Sequence, residues 1–209
     1  MTHIITYMVS LNLITGSILA LDRFFNIIIP AIWNPTLTII TILITDIVSV
    51  PFMAFLSITT FAILIFRRKW YHSILLFFGM SGSVILELLT KFIVQRARPE
   101  NNLIEVSNHS FFSGHAEVSL VFFTIIFLSF NNEIKNKIWK NIFMAFCILM
   151  PLLIGFSRLY LSVHWFSDII AGYIIGIIWI IFLILILNKM GKRYNKKLEK
   201  IRINLERLL

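Results

Sequence analysis

The chain is 209 residues long, 58% hydrophobic and only 14% charged, with a net charge of +9 and a mean hydropathy of +0.88. That composition excludes an ordinary soluble domain and points to a chain dissolved in a lipid bilayer. A single cysteine, Cys147, excludes an intramolecular disulfide and a cysteine-rich metal or redox site.

Crossing about 30 Å of hydrocarbon as a helix takes roughly 20 apolar residues. Runs of that kind occupy residues 4–21, 48–66, 73–95, 114–130, 141–160 and 165–188, which predicts six spans. The first has no Lys or Arg ahead of it and no small-x-small cleavage site near Ala20, so it reads as an anchor and not a signal peptide. Between the first two spans, Pro30, Pro35 and Asp46 interrupt a further apolar stretch, which predicts an interfacial or re-entrant segment in place of a seventh crossing. The expected fold is all-α, a polytopic six-helix transmembrane bundle forming one domain over 1–209, with a basic tail over about 189–209.

Basic residues orient the bundle. Arg67-Arg68-Lys69, then Lys135, Lys137 and Lys140, then the tail from Lys189 to Arg207 follow the second, fourth and sixth spans. The positive-inside rule makes those faces and both termini cytoplasmic. The positive charge is thereby accounted for, and no nucleic-acid partner is implied.

Three polar clusters then fall together on the opposite, outer face. The first closes the third span. Lys91 and Arg98 are two helical turns apart and share one side if the helix continues to Ala97, where Pro99 ends it. Arg96 is explained as an interfacial cation that snorkels to water, whereas Lys91 lies too deep for that. Glu87, one turn before Lys91, is an additional functional candidate because a lone intramembrane carboxylate is costly and calls for a partner such as Lys91.

The second cluster, Ser113-Gly114-His115, opens the fourth span, where unpaired backbone N–H groups favour an anion. Ser113 can donate or cap, Gly114 permits close backbone approach, and His115 is placed to protonate a leaving oxygen. Glu117 either tunes His115 or faces the water interface. The third cluster holds Ser157-Arg158, His164 and Asp168. His164 and Asp168 are i and i+4, which predicts one shared helical face with the carboxylate fixing the imidazole tautomer. His164 is the candidate nucleophile. By itself an HxxxD pair is a common accident, and His3, His72 and His109 read as interfacial.

The three blocks in order, KxxxxxxRP at Lys91 to Pro99, SGH at 113 to 115 and SRxxxxxHxxxD at Ser157 to Asp168, resemble the signature of the type 2 phosphatidic acid phosphatase superfamily. The resemblance implies that Lys91, Arg98 and Arg158 bind phosphate with Ser113 and Gly114, that His164 attacks phosphorus, that Asp168 orients it, and that His115 is the general acid. It implies hydrolysis of a lipid phosphate monoester or diphosphate through a phosphohistidine, with no metal and no cofactor. Phosphatidic acid, phosphatidylglycerol phosphate and undecaprenyl diphosphate are the implied substrates, met at the outer face of a plasma membrane. The family usually has proline before SGH. Here Phe112 follows Phe111, and both become candidates to contact the lipid moiety. Two other classes use the same residues: a lipid headgroup phosphotransferase, and a transporter in which Glu87 and Lys91 mark a polar pathway.

Overall fold

The computed structural model describes the backbone over residues 16–206 and side chains over 16–192. All of its regular structure is helical. Helix α1 is described over 16–28, followed by α2 (Pro35–Asp46), α3 (Val50–Phe66), α4 (Trp70–Val94), α5 (Gly114–Phe130), α6 (Lys137–Tyr160) and α7 (Phe166–Glu206).

Local chemistry sets several of these boundaries. Asn34 caps α2, its side chain accepting from Leu37 N at 2.8 Å, with Pro35 at the first helical position, where its missing N–H costs nothing. Asn136 caps α6 by accepting from Ile138 N and Trp139 N at 2.9 and 3.2 Å. Helix α6 continues through Pro151, whose carbonyl accepts from the Tyr173 hydroxyl of α7 at 2.7 Å. Proline leaves the Cys147 carbonyl, four residues earlier, without its ladder donor, and the Tyr173 bond ties α6 to α7 at the following turn.

Helix α5 is the centre of the bundle, packed against α4, α6 and α7. Leu75, Leu76, Val121, Ile125 and Ile154 form the fully or almost fully buried core there. Small residues let the helices approach closely, as expected where lipid offers no hydrophobic drive between them. A Cβ at Gly82 of α4 would stand 2.0 Å from the Trp179 ring of α7, and one at Gly172 would stand 2.7 Å from the Ser113 carbonyl. The outer surface is strongly apolar, with Phe66, Phe92, Ile93 and Ile27 exposed.

Among the described residues, four helices are long and apolar enough to cross a membrane: α4, α5 with its short extension to Glu133, α6, and α7 over Phe166–Lys192. A fifth crossing results if α2 and α3, bent by 45° at their junction, count as one broken span. The predicted span at 48–66 is therefore the second half of a bent pair, and the predicted span at 4–21 lies largely outside the described residues. Helix α4 also ends earlier than predicted. Gln95 takes a left-handed conformation at φ 48°, so the chain leaves the helix after Val94 and reaches Arg98 and Pro99 through an irregular segment. Proline disfavours a helical residue before it, and here the break falls further upstream.

Candidate active site

The end of α4, the start of α5, the end of α6 and the loop before α7 meet at one end of the bundle. The opposite end carries Glu133, bridged by Arg67 at 2.7 Å and Lys69 at 2.6 Å.

On α4, Lys91 Nζ lies 2.5 Å from Glu87 Oε1, one turn away. The pairing expected for Glu87 is present, and it is pressed against α5. A Cβ on Gly114 would stand 2.0 to 2.2 Å from the Glu87 carboxylate, so only glycine leaves room for that group at the α5 N-terminus. Ser113, the residue before the helix, is wholly buried and its backbone N–H donates to the Asp168 carbonyl at 3.0 Å. Its side chain makes no cap hydrogen bond. Ser113 Oγ is thus a buried hydroxyl beside the first turn of α5 with no partner among the described residues.

Arg98 fastens two loops. Its Nη1 donates to the Val163 carbonyl at 2.5 Å, and its Nε to the Asn108 carbonyl at 2.7 Å. The same Nη1 stands 3.3 Å from His164 Nε2. Arg158, near the end of α6, is almost completely buried and donates from Nη1 to Thr45 Oγ1 of α2 at 2.9 Å, while its Nε has no partner among the described residues. A buried guanidinium with a free N–H beside a cavity is poised for an anion.

His164 precedes α7 in the loop, and Asp168 sits in the first turn of that helix. The prediction of one shared helical face is corrected here. The helix starts only at Phe166, and the Asp168 carboxylate reaches back over the helix end, with Oδ2 accepting from Trp165 N at 3.0 Å. This is the reciprocal half of a capping box. The same Oδ2 lies 3.6 Å from His164 Nδ1, an ion-pair separation beyond hydrogen-bond range. Nε2 is turned to Arg98, which lines the same cavity. Burial, followed by the charges of Arg158, Arg98 and Lys91, holds the His164 imidazole well below the usual 6.5. The ring is neutral at neutral pH and keeps a lone pair.

One cavity of about 420 Å³ unites these groups. Lys91, Arg98, His115, Arg158 and His164 line its polar end, with Glu87, Asn108 and Gly114, while Val48, Met53, Ala54, Met80, Val84 and Val118 line the rest. A second space of about 390 Å³ between α3 and α4 shares Ser57, Met80 and Ser81 with it and is walled by Ile58, Phe61, Leu76 and Phe77. The site therefore has a cationic head and an apolar extension.

Other residues differ from expectation. Phe112 is fully buried, and neither it nor Phe111 is among the residues lining the cavity. Glu117 is fully buried and accepts from Ser83 Oγ of α4 at 2.7 Å, facing the helix interior and not the water interface. Arg96 is no snorkelling cation. Its Nη1 lies 2.6 Å from Asp168 Oδ1 and its Nη2 2.7 Å from Asp22 Oδ2 of α1. Sequence reasoning missed both Arg96 and Asp22. The available signal was that Asp22, just past one apolar run, and Asp168, at the start of another, each called for a cation.

The PAP2 superfamily profile matches residues 72–192. The chain is 27% identical over 135 residues to phosphatidylglycerophosphatase B of Bacillus subtilis, a match covering 63% of this chain and 66% of that protein. It is 30% identical over 149 residues to an undecaprenyl-diphosphatase of Sulfolobus acidocaldarius, covering 68% and 66%. The matched region thus spans slightly less than two thirds of the length of each of these relatives. The fold is similar to the crystal structure of a transmembrane PAP2-type phosphatidylglycerolphosphate phosphatase from Bacillus subtilis, with a TM-score of 0.74, 23% identity, and 83% and 87% of the two chains covered. It is also similar to that of Aquifex aeolicus LpxE, with a TM-score of 0.61, 23% identity, and 79% and 93% covered.

Proposed function

The chain belongs to the PAP2 superfamily, and from that premise we propose that it is a membrane phosphatase hydrolysing a lipid phosphate monoester or diphosphate through a phosphohistidine on His164. The observation that carries this reading is the single cavity in which three cations and two histidines face an apolar extension between α3 and α4. An amphiphile with a phosphate at one end matches both parts.

In this mechanism Lys91, Arg98 and Arg158 hold the phosphoryl oxygens, with Ser113 and the Gly114 end of α5 contributing. Guanidinium forks and an ammonium neutralise charge that spreads over the oxygens as the bond to the leaving group breaks. His164 Nε2 attacks phosphorus as the P–O bond to the lipid breaks, and His115 gives its proton to the departing oxygen. Asp168 accepts from Nδ1 and stabilises the cation that forms, the 3.6 Å separation closing in the substrate complex. His115 then takes a proton from water as the water attacks phosphorus, the N–P bond breaks, and phosphate leaves. Glu87 sets the position of Lys91. No step calls for a metal or other cofactor.

Phosphatidic acid, phosphatidylglycerol phosphate and undecaprenyl diphosphate are the proposed substrates, the last two in keeping with the names of the relatives. The positive-inside count supports a multi-pass plasma membrane protein with cytoplasmic termini and the site at the outer face. The test is phosphate release in detergent, with and without chelator, from these three lipids by the wild type and by His164→Ala. Release by the wild type that chelator leaves unchanged and that the variant lacks is the expected result. A variant that retains wild-type turnover removes His164 as nucleophile, and a phosphodiester product in place of free phosphate turns the assignment to phosphotransfer.

A further inference from the structure

The Asp22–Arg96 pair lies outside every role given above. Asp22 and Asp168 are both buried, on α1 and α7, and a single guanidinium serves both. Ser167 completes the arrangement. Its N–H and hydroxyl donate to Asp22 at 2.8 and 2.7 Å, and its oxygen accepts from Arg96 Nη1 at 2.8 Å. The Trp165 ring lies 5.4 Å from the guanidinium carbon of Arg96, and its Nε1 donates to the Ala97 carbonyl at 2.9 Å. Phe25 of α1 stacks on Phe166 at 4.3 Å. Helix α1, the segment after α4 and the first turn of α7 are thereby locked together beside His164.

Every oxygen of Asp168 is assigned by this network. Oδ1 is taken by Arg96, and Oδ2, held by Trp165 N, is the oxygen turned to His164 Nδ1. Without the guanidinium, two buried carboxylates would lack their common counter-charge, and Asp168 Oδ1 would lose the partner that fixes it. We propose that Arg96, held in turn by Asp22, is a positioning residue that fixes the Asp168 carboxylate and so the aim and tautomer of His164. Helix α1, which precedes the residues matched by the family profile, then completes the active site. The inference rests on His164 being the nucleophile of the proposed phosphatase.

The test compares Asp22→Asn, Arg96→Gln and Arg96→Lys in the full-length protein, each alone and combined with Asp168→Asn, with kcat, KM and detergent melting temperature measured together. Misplacing a reacting group by about 1 Å costs on the order of 100-fold. Arg96→Gln is expected to lower kcat by about that factor with KM within about twofold, Arg96→Lys to recover part of the loss, and Asp22→Asn to lower kcat about tenfold. In the Asp168→Asn background the same changes are expected to cost less than about twofold, because a residue acting through Asp168 has nothing left to position. Asp22→Asn keeps the size of the side chain and carries the test if Arg96→Gln does not fold. Equal losses in both backgrounds, or losses that follow melting temperature with kcat unchanged in the folded fraction, overturn the inference and leave the phosphatase intact. A wild type that releases no phosphate from any of the lipids overturns the phosphatase reading and this inference with it.

Discussion

At the scale of single residues, the site is governed by how few charges the bundle admits and how closely they are matched. Lys91, Arg98 and Arg158 surround one neutral imidazole, and each opposes a second positive charge on His164. The expected outcome is that His164 stays neutral as pH falls through 6.5 and protonates only at lower pH. NMR of isotope-labelled histidine, with His164→Gln identifying the signal, checks this, and a midpoint at or above 6.5 contradicts it. The linkage has a definite sign. The unfolded chain binds a proton at about 6.5 that the folded chain refuses, so His164 subtracts stability as pH falls below that value and has no such effect above it. The residue types of this site were legible from the three blocks taken in order with the family signature they resemble, and Lys91, Arg98, His115, Arg158 and His164 do line one cavity. Arg96 and Asp22 were not legible, because a cation near a helix end reads as interfacial until its partners, 72 and 74 residues away, are known.

At the scale of elements, apolar runs of spanning length located α4, α5, α6 and α7 well but not how they end. Backbone geometry at Gln95 closes α4 early, and the start of α7 at Phe166 leaves His164 in a loop. Both changes place site residues on irregular backbone, where their positions depend on hydrogen bonds and not on helical register. The 45° bend between α2 and α3 has a functional counterpart, since α3 supplies Met53, Ala54 and Ser57 to the apolar wall of the cavity. Ser57, Met80 and Ser81 are common to the cavity and to the space between α3 and α4. Replacing Ser57 by Trp is expected to raise KM about tenfold for a long-chain lipid phosphate, roughly the worth of two buried methylenes. Turnover of a short-chain phosphate monoester is expected to stay within about twofold. Kinetics on a chain-length series make the comparison, and equal effects on both substrates would show that the tail lies elsewhere.

At the scale of the whole molecule, the basic residues and the site occupy opposite ends of the bundle. Arg67 and Lys69 with Glu133 mark one end, and the residues lining the polar end of the cavity lie at the other. Reporter domains fused after Lys69 and after Lys140 are expected to report a cytoplasmic location, and one inserted near Asn102 an external one. The reverse pattern would place the site inside. By itself the sequence determined the membrane setting, the order of the three polar blocks and the residue types they deliver, because these are properties of composition and of spacing along the chain. Only the tertiary structure decided that Asp22 shares a guanidinium with Asp168, that Thr45 of α2 holds Arg158, that Gly114 makes room for Glu87, and that an apolar space joins the cationic head between α3 and α4. Each of those is a contact between segments distant in sequence, set by how the helices pack, and packing of that kind leaves no periodic trace along the chain.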